Sequence, residues 1–143
     1  MMKEAEFQEY LGTIRKEDWQ PLFALLDDID REINFGNLHG MKEGTGGQLY
    51  APYWESSEVV SRFIKLVYEM HIVFSFNWME WEQGNEILRN NAQNYDSLDS
   101  LTLCKLITTI VRADRFNDGY LIRCFEEGIV QKILVSLKRN VEN

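Results

Sequence analysis

Cysteine, histidine and proline are scarce in this chain of 143 residues, which holds two of each. Cys104 and Cys124 form no Cys-x-x-Cys pair, and both fall at apolar positions of expected helices. No disulfide framework or cysteine-built zinc site follows from them, and buried free thiols are the expectation. The histidines, His39 and His71, give neither a His-Glu-x-x-His nor a Cys/His cluster, so no metal and no cofactor is expected. No run of about 18 apolar residues occurs, which argues against a membrane partner. The start is acidic (Glu4, Glu6, Glu9) and unlike a secretory leader, which leaves the cytoplasm as the default location. Positive charge is short too. Fifteen Lys and Arg stand against 23 Asp and Glu, for a net charge of −8, which weighs against a general nucleic-acid binder. The deficit is uneven: residues 1–32 carry four basic and nine acidic side chains, residues 101–143 seven and five.

What is present is ordinary globular material. Hydrophobic residues make up 45% and aromatics 13%, enough for one soluble domain over residues 1–143 with a core of its own. The patterning predicts a mostly α fold, a compact bundle of about five to seven helices with room for one short β-hairpin in residues 34–54. A short helix is expected over 3–11. A second starts at Asp18 with Pro21 in its first turn and runs Trp19, Leu22, Phe23, Leu26, Ile29 and Ile33 along one stripe. Five glycines crowd residues 36–47, where helix is unfavourable; a turn near Glu43–Gly47 would put Leu49 and Tyr50 on a return arm. The next helix is capped by Ser56 or Ser57, and Ile72–Phe76 reads as a short buried extended segment. A short helix around Trp78–Asn90 follows. Asp96 or Ser97 is the expected cap of a helix over 98–113 that is apolar nearly all round and therefore central. Asn117 is expected to cap a short helix ended by Gly128, before a last helix over 129–139.

The succession Ala51-Pro52-Tyr53 before a Ser-Glu helix start, Phe76-Asn77-Trp78-Met79-Glu80-Trp81, Thr108-Thr109, Arg112-Ala113-Asp114-Arg115-Phe116-Asn117-Asp118-Gly119 and Phe125-Glu126-Glu127-Gly128 resembles a bacterial family known only as domain of unknown function 6508. The resemblance covers about residues 35–137. Similar sequences tend to carry Asp where this chain has Asn77. The resemblance implies fold boundaries and a bacterial source, and brings no activity.

Two constellations are candidates for binding. Arg112, Asp114, Arg115 and Glu126 crowd a helix–helix junction. They could form an ion-pair and capping network, or leave an arginine fork free to hold an anion. Trp78 and Trp81, three residues apart, would share a helix face, either as core or as a stacking surface. Tyr50, Tyr53 and Trp54 are expected near them. Gly44-Thr45-Gly46-Gly47 lacks the Lys and the hydroxyl of a phosphate-binding loop. No nucleophile–base–acid motif is present, so catalysis is not the leading expectation. The order of expectation is a protein-interaction module, with a protein partner or a second copy of the chain; then a ligand-binding or enzymatic domain at the Arg112 junction; then nucleic-acid binding through the C-terminal helices.

Overall fold

The computed structural model describes residues 1–40, 42–43, 49–90 and 93–143. Among these it holds eight α-helices: α1 (Glu4–Leu11), α2 (Lys16–Phe23), α3 (Leu25–Arg31), α4 (Glu58–Glu69), α5 (Glu82–Arg89), α6 (Ser100–Ala113), α7 (Tyr120–Glu126) and α8 (Ile129–Glu142). Between α3 and α4 lie β1 (Gly36–His39), β2 (Lys42–Glu43), β3 (Leu49–Tyr50) and β4 (Tyr53–Ser56). β1 pairs antiparallel with β4, and β2 with β3. His39 faces Tyr53 and Lys42 faces Tyr50, so one register runs through both pairs and they form one interrupted hairpin. The expected turn falls between β2 and β3; residues 44–48, including the Gly44–Gly47 stretch, lie outside the described residues.

The helix expected from Asp18 to Ile33 is two helices. α2 begins at Lys16, because Asp18 is its third residue and accepts a hydrogen bond from the Arg15 N–H at 3.3 Å. Pro21 therefore stands beyond the first turn, where its ring and missing N–H interrupt the ladder. After Ala24 the buried stripe shifts. Leu25 enters the core, Leu26 stays half-buried, and Ile33, past the end of α3, is 98% exposed.

α6 is the central helix. Leu103, Cys104, Leu106, Ile107 and Ile110 have no exposed surface, and α5, α7 and α8 all pack on it. Its N-cap is Asp99, which accepts from the Thr102 N–H at 2.7 Å, rather than Asp96 or Ser97. Those two sit in a 3-10 turn over Tyr95–Ser97 that Asn94 caps, and Leu98 is extended after it, so the helix cannot start earlier. α4 ends on His71, whose φ of 60° is left-handed. Ile72 N–H reaches Val67 O and His71 N–H reaches Tyr68 O, the two bonds of a Schellman motif. Ile72–Phe74 then run buried through the core, with the Phe74 ring stacked on Phe7 of α1 at 4.1 Å. Thr108, fully buried on α6, shares its one hydroxyl proton between Ile72 O and Cys104 O, each at 3.0 Å, and ties this segment to the central helix.

Candidate functional site

The Arg112 junction does not close on itself. Asp114 leaves α6 as its C-cap and accepts from the Leu121 N–H at 2.9 Å. It is therefore Asp114, not the Asn117 side chain, that caps α7; Gly119, with φ 87°, makes the turn. Arg112 points a terminal N–H at the sulfur of Met1, and its buried Nε has no hydrogen-bond partner among the described residues. Arg115 reaches the Tyr68 hydroxyl at 3.4 Å. Glu126 is exposed at the end of α7 and ion-pairs with none of the described residues. The four side chains go separate ways, and none lines the cleft described below.

Trp78 and Trp81 also part. A 3-10 turn over Trp78–Glu80 precedes α5, and Trp81 is the N-cap of that helix, so the two do not share an α-helical face. Trp81 turns inward. It meets Phe76 edge-on at 5.6 Å and lies so close to Gly84 that a methyl there would collide with its ring. The Lys105 ammonium sits 4.6 Å from the Trp81 ring and 5.0 Å from Phe76, and pairs with Glu4 at 3.2 Å. Trp81 is thus part of a structural cation–π clamp.

Trp78 turns outward and lines a cleft of about 460 Å³. α6 floors it with Thr109 and Ala113. α5 contributes Asn85, Leu88 and Arg89, α7 contributes Tyr120 and Arg123, and its C-cap is Glu127. At the Trp78 end, the Phe116 ring lies 6.1 Å away and is 74% exposed; Met79, in the same turn as Trp78, is exposed as well. The Arg123 guanidinium lies 5.7 Å from the Tyr120 ring centre. Sequence reasoning picked Trp78 but missed Arg89, Tyr120 and Arg123. The available signal was the α7 face on which Tyr120, Arg123 and Glu127 recur at three and four residues.

Burial raises the Tyr120 phenol above its ordinary value, with Cys124 beside it, and pushes the Cys124 thiol up to about 12. Cys104, wholly buried, is pushed up as well. These groups stay protonated and are weak nucleophiles. Among the described residues no three His, Cys, Asp or Glu side chains converge as a metal site would need, and His39 Nε2 lies 3.3 Å from Glu55. No helix among the described residues is long and apolar enough to cross a membrane.

The hairpin attaches elsewhere than expected. Trp54 packs over Gly119 at the start of α7, Tyr53 stacks on His39, and Phe35 meets Phe125 at 5.4 Å. On α8, the partly buried Gln131 donates to Phe125 O and the buried Ser136 donates to Asp96. Little is left there for reading bases.

No curated protein and no solved structure matches the chain. The residues that cap α7, floor the cleft and hold Trp81 fall within the stretch that one family shares: the chain belongs to the family of unknown function DUF6508, whose model matches residues 14–143.

Proposed function

We propose that the protein is an interaction module of the bacterial cytoplasm that holds a segment of a partner protein in the Trp78 cleft. The observation that carries this is the aromatic pair at the mouth of the cleft, Trp78 against a largely exposed Phe116. An exposed ring costs solvation and is not needed by a core that already buries Phe7, Phe63, Phe74 and Phe125. Exposed aromatics beside a concavity are the usual anchors of protein recognition. The protonated state of Tyr120 and Cys124 favours binding over covalent chemistry here, and the divergence of Arg112, Asp114, Arg115 and Glu126 offers no competing pocket. Two free, unpaired cysteines fit a reducing compartment.

The test is peptide display against the immobilised protein, with counter-screening on Trp78→Ala and Phe116→Ser. Enriched peptides should lose binding to both variants by about tenfold or more, as for anchor residues of an interface. Peptides that bind both variants as tightly as the native protein would overturn the assignment. Phe116 is 74% exposed, so its replacement should leave the fold intact.

A further inference from the structure

Away from the Trp78 cleft, Arg112 and Arg115 turn to Met1 and Tyr68, and the other arginines find carboxylates: Arg15 pairs with Asp18, Arg31 and Arg62 with Asp28, and Arg139 with Asp96. In the Trp78 cleft they do not. Arg89, in the last turn of α5, and Arg123, on α7, line the same concavity, and neither forms an ion pair among the described residues. Glu127 lies one turn beyond Arg123 without pairing to it. In a chain with 23 carboxylates, two cations left unanswered in one cleft mark the place where an anion is to come from outside.

We infer that the cleft selects a partner segment bearing a single carboxylate, gripped by Arg89 and Arg123, next to an apolar side chain that rests on Trp78 and Phe116. The inference rests on the docking function proposed above and names what that docking reads. Guanidinium groups suit the task, since each presents paired N–H donors to a carboxylate in one plane. The Tyr120 ring under Arg123 holds that side chain partly in place, which reduces the ordering needed on binding. Glu127 sets the limit. A second negative charge, or the repeated phosphates of a nucleic acid, would meet its carboxylate as well as the net charge of −8.

The experiment compares a display-selected peptide with its Asp→Asn or Glu→Gln counterpart by fluorescence anisotropy. Against the native protein the neutral peptide should bind about tenfold more weakly. Against the Arg89→Gln/Arg123→Gln double variant the two peptides should differ by less than about twofold, because the partner of the carboxylate is gone. Trp78→Ala should weaken both peptides. If binding depends on Trp78 but not on the carboxylate, the inference falls and the docking function stands. If binding ignores Trp78 as well, both fall. Tighter arginine-dependent binding of a short oligothymidylate than of any selected peptide would overturn the inference in favour of nucleic acid.

Discussion

Replacing Lys105 with methionine keeps most of the apolar stem and removes the ammonium from its place between Trp81, Phe76 and Glu4. The ammonium is shielded, with only 16% of the side chain exposed, at 4.6 Å and 5.0 Å from the two ring centres. A partly desolvated cation over an aromatic face contributes about 1 kcal/mol, and one ammonium shared by two rings contributes less than twice that. The ion pair adds at most about 1 kcal/mol, since Glu4 is nearly half exposed. Against this, methionine has no charge to desolvate, and its sulfur beside the rings returns about 0.5 kcal/mol. The net expectation is a loss of about 1–2 kcal/mol, or about 2–8 °C in melting temperature for a chain of this length. Urea unfolding of Lys105→Met, Trp81→Leu and the double variant isolates the coupling, expected at about 0.5–1 kcal/mol. Repeating the series in 1 M NaCl separates the contributions, because an exposed ion pair is screened there while the shielded ring contact largely persists. A Lys105→Met protein as stable as the native one, or a coupling that vanishes in salt, would refute the clamp.

Two further substitutions probe local devices. His71→Gly should stabilise the protein by about 0.5–1 kcal/mol, read as a raised urea midpoint, because φ 60° costs a side chain about that much and glycine nothing; a fall larger than the edge contact with Tyr10 explains would count against the Schellman reading. Asp96→Asn should flatten the acid side of the stability curve. Hydrogen bonds from Arg139 and Ser136 hold the Asp96 carboxyl below its ordinary value, so its contribution is full above the unfolded carboxylate pKa of about 4 and is lost as pH falls through the lower folded value. The gap between native and variant urea midpoints should therefore be wide at pH 7 and narrow near pH 3.

Much of this fold was legible in the residues. The segment from Leu101 to Val111, with apolar residues nearly all round the helix, placed α6 at the centre, Gly128 separated α7 from α8, and the glycine-rich stretch yielded the hairpin. What escaped lacks a one-dimensional signature. His71 adopts the conformation usually left to glycine because the buried Ile72–Phe74 segment demands the turn. Ala24 marks the α2–α3 boundary without being glycine or proline, three residues after the proline that disturbs the ladder. Trp78 and Trp81 read as one face only if the segment is α-helical; a 3-10 turn followed by a non-helical N-cap sends one in and the other out. The cleft needs Arg89, Thr109 and Arg123 together, and only the packing of α5 and α7 on α6 makes neighbours of residues so far apart in the chain. The Arg112 junction looked denser in sequence than in space, because one turn of helix end scatters its side chains in different directions.

The hairpin is fastened to α7 at two points where a side chain is missing. A methyl at Gly36 would run into Ile122 and the Glu55 carbonyl, and one at Gly119 into the Trp54 indole. The two glycines are held for different reasons: position 36 by the closeness of a neighbouring backbone, position 119 by its left-handed turn in addition. A hydropathy comparison across the family would register Ile122 and Trp54 but not the two glycines that receive them. The evolutionary trace of this attachment should be two invariant blanks. Members that keep both glycines should keep the hairpin seated even where its aromatic residues have drifted, and members that fill either one should carry a compensating reduction at the facing position or a hairpin docked differently.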